Sequence, residues 1–208
     1  MIKPTKILLY GTAPESIVDG PGLRFGVFVQ GCSHHCPGCH NPQSQLIGDE
    51  DGYVETIDAL MDQIKENRLI RDVTLSGGEP FEQALSCAEV AKRCKALGFG
   101  VWAYTGYLFE DLLRIANTPC DDEPVFDESA RPSSSDKLHP KVVKDFLDNI
   151  DVLVDGPFVE SRKSMDVIWR GSTNQRVIDV PKSIIAGHVV DYPVTAAKDA
   201  FPTRPVAW

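Results

Sequence analysis

Arg24-Phe-Gly-Val-Phe-Val-Gln30 runs directly into Gly31-Cys-Ser-His-His-Cys-Pro-Gly-Cys-His-Asn41. The first part alternates apolar residues at period two and reads as a strand, and the second delivers three thiols within eight residues of loop. Closely spaced thiolates suit a cubane iron-sulfur cluster with one iron left open. A cluster that only carries electrons normally closes all four corners with cysteine, so a missing fourth ligand points to chemistry at the vacant iron. Zinc prefers the same soft donors, and His34, His35 or His40 would complete a set of three cysteines and one histidine. Against zinc, structural zinc sites usually draw ligand pairs from two separate knuckles, and here Cys32, Cys36 and Cys39 share one loop.

Outward from that loop, strand-like runs recur at Asp72-Val-Thr-Leu75, Gly100-Val-Trp-Ala-Tyr104 and Asp151-Val-Leu-Val-Asp155. Helical spacing lies between them. Val54, Ile57, Leu60, Met61 and Ile64 fall on one face, as do Ala84, Leu85, Ala88, Ala91 and Cys94, and then Val142, Val143, Phe146 and Ile150. This alternation predicts an α/β fold of mainly parallel strands with outer helices, an open sheet or a partial barrel. Each predicted strand ends in a glycine-bearing loop: Gly31-Cys32, Ser76-Gly-Gly-Glu-Pro80, Thr105-Gly-Tyr107 and Gly156-Pro-Phe158. In parallel architectures such loops gather at the carboxyl edge, where they line one mouth.

The chain has 208 residues, 42% of them hydrophobic and 25% charged, which fits a single domain over 1–208. An irregular polar insertion is expected near 117–138 and an irregular proline-bearing tail near 191–208. The formal charge of -9 argues against the basic surface that nucleic acid or an anionic membrane requires. A small molecule or a protein is the expected partner. Ile7-Leu-Leu-Tyr10 is too short for the core of a signal peptide, so the expected location is the cytoplasm. There six cysteines are not expected to form disulfides, and Cys87 and Cys94, seven apart on one helix, read as small buried hydrophobes.

Gly77-Gly78-Glu79-Pro80 follows a strand and precedes a helix. On its own it reads as a tight turn with proline opening the helix. Beside a three-cysteine loop it also suits a cradle for an amino group, since carbonyl oxygens and a carboxylate both accept from an ammonium.

With its Cys-x-x-x-Cys-x-x-Cys loop and later Gly-Gly-Glu-Pro, the chain resembles the radical S-adenosylmethionine superfamily. More narrowly it resembles the activating proteins of anaerobic class III ribonucleotide reductase, through Asp19-Gly-Pro-Gly-Leu-Arg24, Cys36-Pro-Gly-Cys-His-Asn41, Tyr104-Thr-Gly-Tyr107, Asp151-Val-Leu-Val-Asp-Gly-Pro-Phe158 and Trp169-Arg-Gly-Ser-Thr-Asn-Gln-Arg176. Gly38, where much of the superfamily has an aromatic residue, favours that narrower family. His40, Asn41 and Pro42 are similar instead to activators of the pyruvate formate-lyase type. The resemblance implies a partial (β/α) barrel and an oxidoreductase whose [4Fe-4S] cluster is held by Cys32, Cys36 and Cys39.

S-adenosylmethionine would bind the open iron and be cleaved reductively, and the resulting radical would take a hydrogen from a glycine of the reductase. No side chain is implied as catalytic in its own right. Ser76, Gly77, Gly78 and Glu79 would hold the amino end of the cofactor, with Asn41, Thr105 and Asp155 as further contacts. Arg24, Arg170 and Asn174 match family stretches without an assigned role. The implied partners are the large subunit of the reductase and a flavodoxin or ferredoxin as electron donor. Activation of another glycyl-radical enzyme, a small-molecule radical reaction, and a non-catalytic iron-sulfur or zinc module are the alternatives.

Overall fold

The computed structural model describes residues 3–47, 51–124 and 138–194. Most of the expected insertion at 117–138 and of the expected tail at 191–208 lies outside the described residues. Seven strands form one sheet: β1 (Lys6–Ser16), β2 (Arg24–Val29), β3 (Tyr53–Thr56), β4 (Asp72–Gly77), β5 (Gly100–Tyr104), β6 (Val152–Asp155) and β7 (Arg176–Asp179). They lie in the order β3-β1-β2-β4-β5-β6-β7. The helices are α1 (Ile57–Glu66), α2 (Ala84–Ala96), α3 (Phe109–Ala116), α4 (Pro140–Asp148) and α5 (Val180–Ala186).

The four strands read directly from the sequence form the centre, and β2, β4, β5 and β6 pair in parallel there. Antiparallel strands flank them: β1 on β2, β3 on β1, and β7 on β6. Parallel neighbours need a crossover, and the segments bearing α2, α3 and α4 supply it between β4, β5 and β6. Val54 departs from the expected helical face. It pairs with Leu8 in β3, 43% exposed, because α1 starts only at Ile57, where the Thr56 side chain accepts from Ala59 N–H at 3.2 Å.

Side chains alternate across the strands, so the two faces of the sheet acquire different covers. Val101, Ala103 and Leu153 join Phe25, Val27 and Leu75 in the main core, together with Leu60, Val90, Leu112 and Phe146 from the helices. Phe81 and Phe146 meet there with ring centroids 4.6 Å apart. Trp102, Val152, Val154 and Val177 face the other way, against Tyr104, Trp169 and Tyr192.

Polar anchors hold the register of this frame. Gln83, 3% exposed, takes the Leu8 N–H and donates to Leu8 O, both at 2.9 Å, and donates to Gln30 O at 2.8 Å. Those backbone groups would otherwise be buried without partners. At the opposite edge of the sheet Arg24 is fully buried, with Nε donating to Thr74 Oγ1 at 2.7 Å, Nη2 to Val73 O at 3.0 Å, and its guanidinium 5.1 Å from the Trp102 ring. Arg24 therefore locks β2 to β4, and among the described residues it does not line the cavity of the functional site.

Candidate active site

The loops after β2, β4, β5 and β6 do meet at the carboxyl edge, around a cavity of about 560 Å³. That is the size of a small-molecule or cofactor site. Cys32, Cys36 and Cys39 line one side, and Asn41 follows them. Ser76, Gly77, Gly78 and Glu79 supply the floor, and Thr105 with Gly106 the next wall. Phe158, Trp169, Arg170 and Gln175 close the far side.

The two glycines after β4 are required by space. Gly77 has a φ of +97°, and a Cβ there would stand 2.6 Å from Val29 N. A Cβ on Gly78 would stand 2.2 Å from Gly31 O. Two loops thus touch backbone to backbone, with Gly78 N–H donating to Val29 O and Glu79 N–H to Gly31 O, each at 2.8 Å. The returning end of the cysteine loop is held as well. Gly31 N–H donates to Ser44 O at 2.7 Å, and Ser44 N–H to Asn41 O at 3.0 Å.

Glu79 does not stand open at the mouth. It is 1% exposed. Its Oε1 accepts from Phe81 N–H at 3.0 Å and from Thr105 Oγ1 at 2.9 Å. Its Oε2 accepts from Gly106 N–H at 2.8 Å and lies 3.0 Å from His34 Nε2. A carboxylate offers about four acceptor positions, and here four donors reach it. One side chain thereby joins the loops after β2, β4 and β5. The contact raises the His34 pKa, since the carboxylate favours the imidazolium, with burial opposing. The imidazole ring also packs edge-on against Tyr107, centroids 4.5 Å apart. Thr105 acts through Glu79 and Tyr107 N–H, which donates to Thr105 Oγ1 at 3.1 Å.

Asp155 is the site expectation that the structure places elsewhere. It is fully buried at the end of β6 and is absent from the cavity wall. Its Oδ1 accepts from Arg176 Nε at 2.9 Å, its Oδ2 from Phe109 N–H at 2.8 Å, and Arg176 Nη2 also reaches Oδ2. Arg176 carries on to Glu110, with bonds of 2.8 and 2.7 Å. The carboxylate ties β6, β7 and the start of α3 together, so its acceptors are used structurally. Asn174 likewise turns away, donating to Pro157 O at 2.8 Å.

Arg170 does line the cavity. One terminal nitrogen donates to Gln175 O at 3.1 Å, while Nε is buried without a partner among the described residues. A donor left in that state costs free energy until something accepts from it. Sequence reasoning singled out Arg170 without a role, and the contribution of His34 could be read only from its place between two cysteines.

The thiols fit a cluster. Cys32 is 8% exposed, and burial pushes its pKa up to about 12. It stays a thiol unless a bound cationic centre stabilises the thiolate. Cys36 and Cys39 are half-buried on the same cavity. Among the described residues no three His, Cys, Asp or Glu side chains converge on the position of a single ion.

The chain matches the 4Fe-4S single cluster domain family over residues 18–178. It is 31% identical over 170 residues to the anaerobic ribonucleoside-triphosphate reductase-activating protein of Escherichia coli (strain K12), covering 79% of this chain and 93% of that protein. The protein of the same name from Vibrio cholerae is 30% identical over 168 residues, 78% of this chain and 91% of that one. The crystal structure of QueE from Escherichia coli aligns with a TM-score of 0.41 at 16% identity, covering 49% of this chain and 52% of that one.

Proposed function

The chain belongs to the family of anaerobic ribonucleoside-triphosphate reductase-activating proteins and carries a 4Fe-4S single cluster domain, and on that premise we propose that it is a radical S-adenosylmethionine enzyme. Its product would be a glycyl radical on the anaerobic reductase. The observation that carries this reading is the meeting of Cys32, Cys36 and Cys39 with Gly77, Gly78 and Glu79 on one cavity.

When bound, a [4Fe-4S] cluster with one open iron would supply the electron that cleaves S-adenosylmethionine, releasing methionine and the radical that removes a hydrogen atom from the glycine. Cys32, Cys36 and Cys39 would hold the cluster. Ser76, Gly77 and Gly78 would bring backbone close to the amino end of the cofactor, and Glu79 would favour its positive charge from beneath. Arg170, whose Nε has no partner among the described residues, would donate to the carboxylate. Thr105 would keep Glu79 in place. Asn41 would bound the pocket beside the third thiol.

The electron would come from a small flavodoxin or ferredoxin. Among the described residues no helix is long and apolar enough to cross a membrane, which is compatible with a cytoplasmic setting. After anaerobic reconstitution with iron and sulfide, dithionite and S-adenosylmethionine should yield 5′-deoxyadenosine. The absence of that product, or its persistence in Cys36→Ala, overturns the radical reading. Mixed with the anaerobic reductase, the reduced protein should produce a glycyl signal by electron paramagnetic resonance. A silent reductase alongside normal 5′-deoxyadenosine would assign the chain to another substrate.

A further inference from the structure

Glu82 sits behind the cysteine loop and not on the cavity wall. It is 3% exposed. Its Oε1 accepts from the Ser33 N–H at 3.0 Å and from the Ser33 hydroxyl, while Oε2 is buried without a partner among the described residues. A carboxyl group removed from water with half of its acceptors unused is costly. Among the described residues the Glu82 side chain makes its hydrogen bonds to Ser33.

Ser33 and His34 are the first two residues between Cys32 and Cys36. Each is tied to a carboxylate of one short turn or of the residue that caps it, Glu79. Ser33 meets Glu82, and His34 Nε2 lies 3.0 Å from Glu79 Oε2. The turn, Pro80–Gln83, is itself rigid: Glu82 N–H donates to Glu79 O at 3.0 Å, Phe81 N–H to Glu79 Oε1 at 3.0 Å, and Gln83 is bonded to β1. The bracket therefore stands on the core, and the loop hangs from it at two consecutive residues. A short loop with three ligands gains affinity when its shape is set before the ligand arrives, because the ordering cost has already been met.

We propose that Glu82 is a positioning residue: through Ser33, and with Glu79 acting on His34, it holds the three-cysteine loop in the conformation that receives the cluster. The proposal rests on the reading of that loop as the cluster site. Groups that orient metal ligands without touching the metal typically change affinity by ~10–100-fold when removed.

Wild type, Glu82→Ala, Glu82→Gln, His34→Ala and Cys36→Ala are reconstituted anaerobically without S-adenosylmethionine. Iron and sulfide per chain, visible absorbance and the rate of iron loss to a chelator are recorded, with far-ultraviolet circular dichroism as the check on folding. Glu82→Ala should lose iron about tenfold faster than wild type. Glu82→Gln keeps an acceptor for both Ser33 donors and should stay within about twofold of wild type, a rescue that a general loss of packing does not predict. Wild-type stripping in Glu82→Ala overturns the proposal, as does loss in Glu82→Gln as fast as in Glu82→Ala.

Where Glu82→Ala does not fold, His34→Ala decides, since it cuts the second tie without touching the Glu82 carboxyl group. Severalfold faster stripping supports the bracket and an unchanged rate overturns it. Failure of the underlying reading looks different. A wild type that takes up no cluster, or Cys36→Ala that keeps a full one, removes the cluster site itself and the proposal with it.

Discussion

Five of the six cysteines divide into different tasks by burial and neighbourhood rather than by chemistry. Cys87 and Cys94 are fully buried in α2, with Cys94 Sγ 3.9 Å from Met61 Sδ, and burial raises both pKa values. They are space-filling thiols, while Cys32, Cys36 and Cys39 line the cavity. Cys36→Ala should abolish the visible absorbance of the reconstituted cluster. Cys87→Ala should preserve it and lower stability by about 1–2 kcal/mol, measured by denaturant unfolding. Asp155 gives a second contrast at this scale. Asp155→Ala strips Arg176 and the Phe109 N–H of an acceptor, though Glu110 still pairs with Arg176. Unfolding should become easier by roughly 2–3 kcal/mol, while 5′-deoxyadenosine formed per folded molecule stays near wild type. A selective loss of turnover with unchanged stability would return Asp155 to the cofactor.

At the scale of elements, helix placement depends on a few joints. Phe146 in α4 meets Phe81, which stands next to Glu82 in the turn that supports the cysteine loop. Phe146→Ala should cost about 3–5 kcal/mol by chemical unfolding, as for other fully buried aromatics. The joint between α3 and β7 is electrostatic and depends on pH. Arg176 holds Glu110 below its ordinary pKa of 4.5 through hydrogen bonds and charge. A carboxylate depressed on folding contributes stability that is complete above its ordinary pKa and disappears as pH falls through the lower folded value. Thermal stability should therefore decline below about pH 4.5. Glu110→Gln should flatten that part of the profile, and an unchanged acid limb would show that the pair contributes nothing. The carboxylate is more than half exposed, so the effect is small.

Across the whole molecule, the main core and the site occupy separate regions. The core lies between the sheet and α1 to α4, and of Cys32, Cys36 and Cys39 only Cys32 is buried. Replacing Cys32, Cys36 and Cys39 together by serine should leave far-ultraviolet circular dichroism unchanged. The melting temperature should remain within about 4 °C of the cluster-free wild type. A chain that collapses on this change would mean that the cluster loop helps to hold the sheet.

The four central strands, the buried faces of α2 and α4, and the loops that carry chemistry are legible from local pattern alone. Period-two and period-3.6 spacing record which side chains avoid water, and glycine marks where the backbone must approach closely. β1, β3 and β7 are harder to read, since their partners are remote in sequence and Tyr53, Val54 and Glu55 are not buried as an inner strand would be. Thiol spacing is likewise a local property, so the cysteine motif points to a metal site before any coordinates exist. The fate of a charged group is not local. Glu79, Glu82, Asp155 and Arg170 look alike in sequence as polar residues in or after strand-end loops. Tertiary structure made Glu79 a junction of three loops, Glu82 a support behind the thiols, Asp155 a partner of Arg176, and Arg170 a donor facing the cavity. The physical reason is that spacing dictates which residues must be buried, whereas a buried charge takes its role from the partners that distant segments bring within hydrogen-bond reach.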